Sequence, residues 1–258
     1  MNTTLLIIDA QNDFCLPNAP LEVKGAMADM QNIANFIKRK QIDTIIDTFD
    51  DHRRKDIAHP LYWADGVPLF TPITLAEVKE GKYKVRNQKD FEWTIYYLAK
   101  LEAQKNYPHI VWPYHCIAGT KGAAMVDVVA DAIAEWEFAT GETNIVIRKG
   151  NNPYVEHYSA VKAEVVYAFN GDYDQDTNVN YGLVQTLQKA DTIYVGGEAL
   201  SHCVANTVRD LVKYGVNPNN VTILTDCTSN VGNFEFLGDA FRKEMEDKGM
   251  KFAKSTDI

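Results

Sequence analysis

One cysteine, Cys203, lies near the predicted start of a helix, a position that can make a thiol reactive. It follows Gly196 and Gly197, which interrupt a short apolar run, and Ser201 is suited to cap a helix that starts near His202. A thiol in the first turn of a helix lies near its positive end, which favours the thiolate over the thiol. We therefore predict that Cys203 is a nucleophile, against the other interpretation of a lone cysteine as a small buried apolar residue.

Two charged residues at the ends of apolar runs could activate this thiol. Asp9 ends the run TLLIID and Lys149 follows NIVIR, so both charges face burial, which is costly without a partner. Such a pair is either a structural ion pair or, beside a thiol, part of a catalytic group. In the second case Asp9 accepts the proton of Cys203 and Lys149 stabilises the negative charges.

A second group of residues has the types and spacing of a divalent metal site. Asp50 and His52 follow the second apolar run, and His115 follows the third. Carboxylate and imidazole are common ligands of zinc and related ions. His59 is a rival ligand and Asp51 a rival carboxylate, and without further context each histidine could equally be an ordinary core or rim residue.

The apolar runs before these residues alternate with stretches of helical periodicity. The runs predict strands at 4–9, 44–48, 109–112, 144–148, 192–195 and 221–225. The periodicity predicts helices at about 24–40, 91–105, 122–137, 180–190, 202–215 and 234–249. This alternation is typical of a doubly wound α/β fold, a six-stranded parallel sheet with helices on both faces. Ligands bind at the carboxyl ends of such strands, so the candidate residues should meet at one rim.

The length of 258 residues suits one domain of this kind, spanning 1–258. Two segments interrupt the alternation: 53–90, rich in Pro, Tyr, Trp and Phe, and 163–180, rich in Asp and Asn. Both are long for loops. We expect the first to be an insertion, and each to act as a lid, a pocket wall or an oligomer contact.

Composition excludes several classes of partner. The net charge of -9 and the pI of about 5.2 oppose binding to nucleic acid or to an anionic membrane surface. The first apolar run is too short for a signal segment or a membrane span, so we expect a cytoplasmic protein. The four cysteines lack CxxC spacing, which favours reduced thiols over a disulfide framework.

Taken together, the motifs resemble the nicotinamidase branch of the isochorismatase-like cysteine hydrolases. The matching stretches are IIDAQNDF, DDH, WPYHC, RKG with EHYS, and GEALSHCV, in the family's order over nearly the whole chain. The resemblance implies the six-stranded fold, a catalytic triad of Asp9, Lys149 and Cys203, and hydrolysis of a small amide, most simply nicotinamide, within NAD metabolism. It also implies a homo-oligomer.

The resemblance also implies a metal cofactor and a substrate pocket. Asp50, His52 and His115 would hold a divalent ion, often zinc, which binds the pyridine nitrogen of the substrate. Phe14 and Trp112 match the aromatic walls of the family's nicotinamide pocket.

The family further places a non-proline cis peptide where this chain has Glu198 and Ala199, and it uses the amides of Ala199 and Cys203 as an oxyanion hole. The chain departs from the family at the metal corner, where DDHR replaces Asp-Trp-His-Pro and the next histidine is His59. A metal-independent amidase for another small amide, carbamoyl or ureido compound is therefore an alternative. A non-catalytic binding module that uses segment 53–90 is another.

Overall fold

Six parallel strands form the central sheet in the computed structural model, which describes residues 2–64 and 66–258. The strands along the chain are β1 (Thr3–Ile8), β2 (Thr44–Asp50), β3 (Thr71–Ile73), β4 (His109–Val111), β5 (Ile145–Lys149), β6 (Ala168–Phe169), β7 (Asp172–Tyr173), β8 (Thr192–Gly197), β9 (Val221–Leu224) and β10 (Lys251–Ala253). The order across the central sheet is β10-β9-β8-β1-β2-β5, and every neighbouring pair is parallel. The predicted fold class is confirmed.

Helices connect these strands and cover the sheet. They are α1 (Asn12–Cys15), α2 (Ala26–Arg39), α3 (Leu75–Lys79), α4 (Phe91–Ala103), α5 (Asp127–Thr140), α6 (Tyr181–Gln188), α7 (Ala205–Lys213) and α8 (Glu235–Glu246). Each predicted helical stretch overlaps one of them. α2 packs against α5 and β8, and α8 packs against β10. None of the helices in the described part of the chain is long and apolar enough to cross a membrane.

The central position of β1 follows from its composition. Leu5, Leu6, Ile7 and Ile8 are all 0% exposed, because β2 and β8 flank the strand and helices cover its apolar side chains. The pairing of β1 with β8 aligns Ile8 with Gly197, and the pairing of β2 with β5 aligns Asp50 with Lys149. This register brings the ends of β1, β2, β5 and β8 to one edge of the sheet.

The predicted strand at 109–112 does not belong to the central sheet. Its residues form β4, which pairs antiparallel with β3 in a separate two-stranded sheet. The sixth central strand is instead β10, which the sequence pattern did not indicate because it has only three residues and its Phe252 is half-buried. A short apolar run shows that a segment is buried, but not which neighbour it pairs with.

Segment 53–90 builds a second apolar cluster beside the main core. The buried members of this cluster come from that segment, from α4, from β4 and from residues 155–165, and they include Ile57, Tyr62, Trp63, Trp93, Tyr97, Val111, Val155 and Val165. The indole of Trp63 and the imidazole of His109 both donate to the carbonyl of Ile57, at 2.7 and 3.0 Å. The segment is therefore tied to the body of the protein, and we propose that the chain is one domain, spanning 1–258, with an insertion at about 53–90.

Candidate active site

The ends of β1, β5 and β8 bring Asp9, Lys149 and Cys203 together. Lys149 Nζ lies 2.9 Å from Asp9 Oδ2 and donates to Cys203 Sγ at 3.6 Å. The three residues are 0%, 2% and 6% exposed. The structure thus gathers the three residues that the sequence singled out for nucleophilic chemistry, although 54 positions separate even the nearest two along the chain.

Thr48 on β2 orients the Asp9 carboxylate. Its hydroxyl donates to Asp9 Oδ1 at 2.5 Å, while the Asp9 backbone N–H donates to the Thr48 carbonyl at 3.2 Å. One carboxylate oxygen is thereby fixed, and Oδ2 is left toward Lys149. Sequence reasoning missed this hydroxyl, although Thr48 is the last residue of the predicted strand 44–48.

Asp50 shares the lysine with Asp9. Lys149 Nζ lies 2.5 Å from Asp50 Oδ1. Burial disfavours the charge on Asp50, but Lys149 and His52 outweigh it and hold the pKa of Asp50 well below its usual range. Burial likewise opposes the charge of Lys149, yet Asp50 and Asp9 keep its pKa well above its ordinary value. Lys149 and Asp50 therefore form a buried ion pair.

Burial opposes the thiolate form of Cys203 that its helix position favours. Burial raises the pKa of Cys203 well above its usual value, Lys149 lowers it, and the charges of Asp9 and Asp50 raise it further. Sγ and the two carboxylates lie within 4.8 Å of one another. Burial also raises the pKa of Asp9, against Lys149, which makes Asp9 a stronger base for the thiol proton.

A wide helical turn over Leu200–Val204 carries Cys203 and leads into α7. The carbonyl of Ala199 accepts from the N–H groups of His202 and Val204, at 3.0 and 3.2 Å. The peptide bond between Glu198 and Ala199 is cis, at the position that the family resemblance implies. Because the turn begins at Leu200, Ser201 lies inside it and is not its cap.

The Ser201 hydroxyl has a different role from the predicted one. Its Oγ accepts from the Val231 N–H at 3.1 Å and contacts His202 Nδ1 at 2.9 Å. It therefore joins the turn to the loop after β9.

The metal-site candidates also converge. His52 Nε2 and His115 Nε2 lie 3.4 and 3.9 Å from Asp50 Oδ2. His52 Nδ1 contacts the Asp56 carboxylate at 3.0 Å, and His115 Nδ1 contacts the Pro113 carbonyl at 2.8 Å. If each Nδ1 carries the hydrogen that makes this contact, the Nε2 of His52 and the Nε2 of His115 each present a lone pair to the Asp50 carboxylate. Two acceptors that face each other need a proton or a cation between them.

His59, the rival ligand, belongs to the same cluster. A nitrogen from each of His52, His59 and His115 lies within 4.8 Å of the other two. His59 Nδ1 contacts the Arg53 carbonyl at 3.1 Å, and its Nε2 contacts His115 Nδ1 at 3.2 Å. His59 is therefore close enough either to join a metal site with these rings or to orient the His115 ring. The rival Asp51 lies near the Arg148 guanidinium at 3.9 Å.

A small, mostly apolar cavity opens between the two groups. Its lining includes Phe14 and Trp112, the two predicted aromatic walls, together with Asp50, His115, Ala199 and Cys203. The remaining lining residues are Leu21, Glu156, Tyr158, His202 and Val231, none of which sequence reasoning named as a site residue. A small aromatic molecule is the kind of ligand that an apolar cavity with a few polar groups accommodates.

Some of the missed residues carried a signal in the sequence. Glu156 and Tyr158 lie within the motif EHYS, and His202 is the direct neighbour of Cys203. Leu21 and Val231 carried none, because they lie in loops without periodicity and reach the cavity through tertiary packing alone.

Comparison with known proteins finds nicotinamidases both by sequence and by structure. A nicotinamidase of Acinetobacter baylyi is 30% identical to the chain over 218 residues, which cover 84% of this chain and 77% of that protein. The solved structure of an Acinetobacter baumanii nicotinamidase and pyrazinamidase superposes with a TM-score of 0.67 at 23% identity, covering 99% of this chain and 97% of that one. No protein-family model matches the chain.

A further solved structure is relevant to the metal-site candidates. The pyrazinamidase of Pyrococcus horikoshii, in complex with zinc, superposes with a TM-score of 0.57 at 20% identity and covers 98% of this chain and 99% of that one. At this identity the likeness establishes a shared fold.

Proposed function

The chain belongs to the nicotinamidase branch of the isochorismatase-like cysteine hydrolases, and from this membership we infer that it hydrolyses nicotinamide to nicotinate and ammonia. One observation carries the inference: a buried lysine lies within reach of both a carboxylate and a thiol at the wall of an aromatic cavity. This arrangement supplies a base and a nucleophile at the point where a small amide would bind.

The first half of the reaction forms a thioester. Asp9 takes the proton from Cys203 Sγ, and the thiolate attacks the amide carbon, whose carbonyl oxygen becomes an oxyanion. Asp9 then gives the proton to the amide nitrogen. The C–N bond breaks, ammonia leaves, and the acyl group stays on Cys203.

The second half reverses the roles. Asp9 takes a proton from water, whose oxygen attacks the thioester carbon, and the C–S bond breaks to release nicotinate. The proton returns to Cys203. In both halves Lys149 stays charged and stabilises the negative charge that moves between the carboxylate and the sulfur, because the carboxylates around it keep its pKa high.

We assign the oxyanion hole to the backbone N–H groups of Ala199 and Cys203. Both residues line the cavity; Ala199 directly precedes the turn Leu200–Val204, and Cys203 lies within it. Backbone donors held at a helix start are pre-organised for a developing oxyanion, and one such donor contributes about 10²- to 10³-fold in kcat.

A divalent cation, zinc being our first choice, suits Asp50, His52 and His115, with His59 orienting one ring. The donor set supports this, because two imidazole nitrogens and a carboxylate oxygen face one another in a buried cluster. When bound, the ion would act as a Lewis acid for the ring nitrogen of the substrate. His52→Ala and His115→Ala should each lower the metal content of the purified protein, whereas His59→Ala should retain more of it.

We further propose a homo-oligomer that acts in the cytoplasm. The edge strand β5 exposes Ile145 and Val146, and Phe138 on α5 is 94% exposed, which suits a contact with another copy. All four cysteines are free and buried, which suits a reducing compartment. Light scattering of the purified protein measures the oligomeric state.

The experiment that tests the function is ammonia release from nicotinamide. The native protein is compared with Cys203→Ala and with a chelator-treated sample. Release that requires both the thiol and the metal supports the proposal. Release that survives Cys203→Ala overturns the mechanism, and no release by the native protein overturns nicotinamide as substrate in favour of another small amide.

A further inference from the structure

Two acidic side chains meet beneath the nucleophile's turn, outside both the substrate cavity and the metal-site candidates. Glu198, directly after β8, is 0% exposed, and Asp29, in the first turn of α2, is 7% exposed. Their carboxyl groups are hydrogen-bonded to each other. Two buried carboxyl groups in contact cannot both be ionised at low cost, so one proton lies between them.

The surroundings show which of the two keeps the proton. Glu198 Oε1 meets no N–H or O–H donor among the described residues, so it is the oxygen that must carry a hydrogen. Burial raises the pKa of Glu198 well above its usual value, and the charge of Asp29 adds to this, whereas burial raises the pKa of Asp29 only to about 6. At neutral pH the Glu198 carboxyl is the donor and Asp29 the ionised acceptor.

Ser229 completes the link between this pair and the turn. Its hydroxyl donates to Asp29 Oδ2 at 2.5 Å, and its N–H donates to Glu198 Oε2 at 3.2 Å. Its carbonyl accepts from the N–H of Leu200, the first residue of the turn, at 2.8 Å. The hydrogen bonds therefore run without a break from α2, through the acid pair, to the segment that carries Ala199 and Cys203.

We propose that Glu198 is a positioning residue for the reaction: its carboxyl, hydrogen-bonded to Asp29 and Ser229, holds the peptide that presents the Ala199 N–H to the oxyanion. The proposal rests on the proposed function, because it assigns the amide of Ala199 to that role. Glu198 touches no substrate, since it does not line the cavity. A displacement of about 1 Å at a reacting centre costs about a hundredfold in rate, so a support of this kind is worth a measurable share of kcat.

Three variants separate the hydrogen bonds from the bulk of the side chain. Glu198→Gln keeps both bonds, because its amide nitrogen can donate to Asp29 and its oxygen can accept from the Ser229 N–H. Glu198→Leu removes both and leaves the Asp29 charge without this donor. Asp47→Asn is the matched control, because Asp47 is also a buried carboxyl on a central strand, but it bonds Asn144 and does not line the cavity.

The expected result is a loss in kcat with little change in KM. Glu198→Leu should lower kcat for nicotinamide about tenfold to a hundredfold and leave KM within about twofold, since only the transition state uses the oxyanion donors. Glu198→Gln should retain kcat within about threefold. Glu198→Leu at native kcat, or Glu198→Gln as impaired as Glu198→Leu, overturns the proposal.

A second readout does not depend on turnover. Amide hydrogen exchange across residues 197–204 should speed up in Glu198→Leu and stay native in Glu198→Gln and Asp47→Asn. If the native protein fails to hydrolyse nicotinamide, the proposed function falls while the exchange data still test the support of the turn. If Glu198→Leu does not fold, Ser229→Ala takes its place with an expected several-fold loss in kcat, and native kcat and native exchange in that variant overturn the proposal.

Discussion

Replacing Lys149 by Met should damage both stability and turnover, and the structure sets the size of each effect. The lysine contacts Asp9 and Asp50 at 2.9 and 2.5 Å, and all three residues are at most 4% exposed. Removing one partner of a buried ion pair leaves an uncompensated buried charge, which costs about 3 to 5 kcal/mol. Here two carboxylates lose the same partner, so we expect the upper part of that range.

Turnover should fall by about a thousandfold or more, because the charge that stabilises both the thiolate and the Asp9 carboxylate is lost. Ammonia release gives kcat. Urea unfolding of chelator-treated samples gives the free energy of unfolding without a contribution from bound metal.

The matched control is Lys38→Met. Lys38 pairs with Glu135 at 2.8 Å, but the two side chains are 50% and 61% exposed. An exposed pair contributes about 1 kcal/mol or less, so this variant should be nearly native in both assays. If the free energy of unfolding of Lys149→Met lies within about 1 kcal/mol of the native value and the variant keeps its turnover, the reasoning about the buried charges is wrong.

Three further predictions address single contacts. Thr48→Val removes the hydroxyl that orients Asp9 and leaves a buried carboxylate oxygen without this donor, so it should lower kcat about tenfold and the free energy of unfolding by about 1 to 3 kcal/mol; a native kcat would show that the hydroxyl does not matter for turnover. His115→Ala should abolish stoichiometric zinc in elemental analysis, and full retention would exclude this residue as a ligand. Asp47→Asn concerns stability: burial raises the pKa of Asp47 to about 6, so the native carboxylate destabilises the fold increasingly as pH rises from about 4 to 6. At pH 7.5 the free energy of unfolding of the variant should therefore exceed that of the native protein by about 2 to 3 kcal/mol, and near pH 4 the two should be equal, as measured by urea unfolding at both pH values.

The strands that carry the site were visible in the sequence because burial on both faces leaves a simple trace. The run TLLIID predicts a fully buried strand, and β1 is one. The carboxyl ends of parallel strands meet at one edge, so the polar residues that follow these runs could be expected to lie together. The contact of Asp9, Lys149 and Cys203 follows from that rule, while their catalytic roles stay a prediction until turnover is measured.

Other features left no trace in local sequence. The run at 109–112 is apolar like the central strands, and only its antiparallel pairing with β3 keeps it out of the sheet, whereas β10 joins the sheet with a barely apolar sequence. Pairing partners depend on contacts between distant parts of the chain, which periodicity does not record.

The chemistry of the site divides in the same way. The sequence by itself determined the residue types at the rim, because a carboxylate, a lysine, a thiol and imidazoles follow the apolar runs whatever the pairing. Only the tertiary structure decided how their pKa values shift: burial together with the nearby charges of Asp9 and Asp50 raises the pKa of Cys203, although its helix position alone favours the thiolate. The physical reason is that a pKa depends on solvent exposure and on charges within a few ångströms, and both are set by residues far away in the chain.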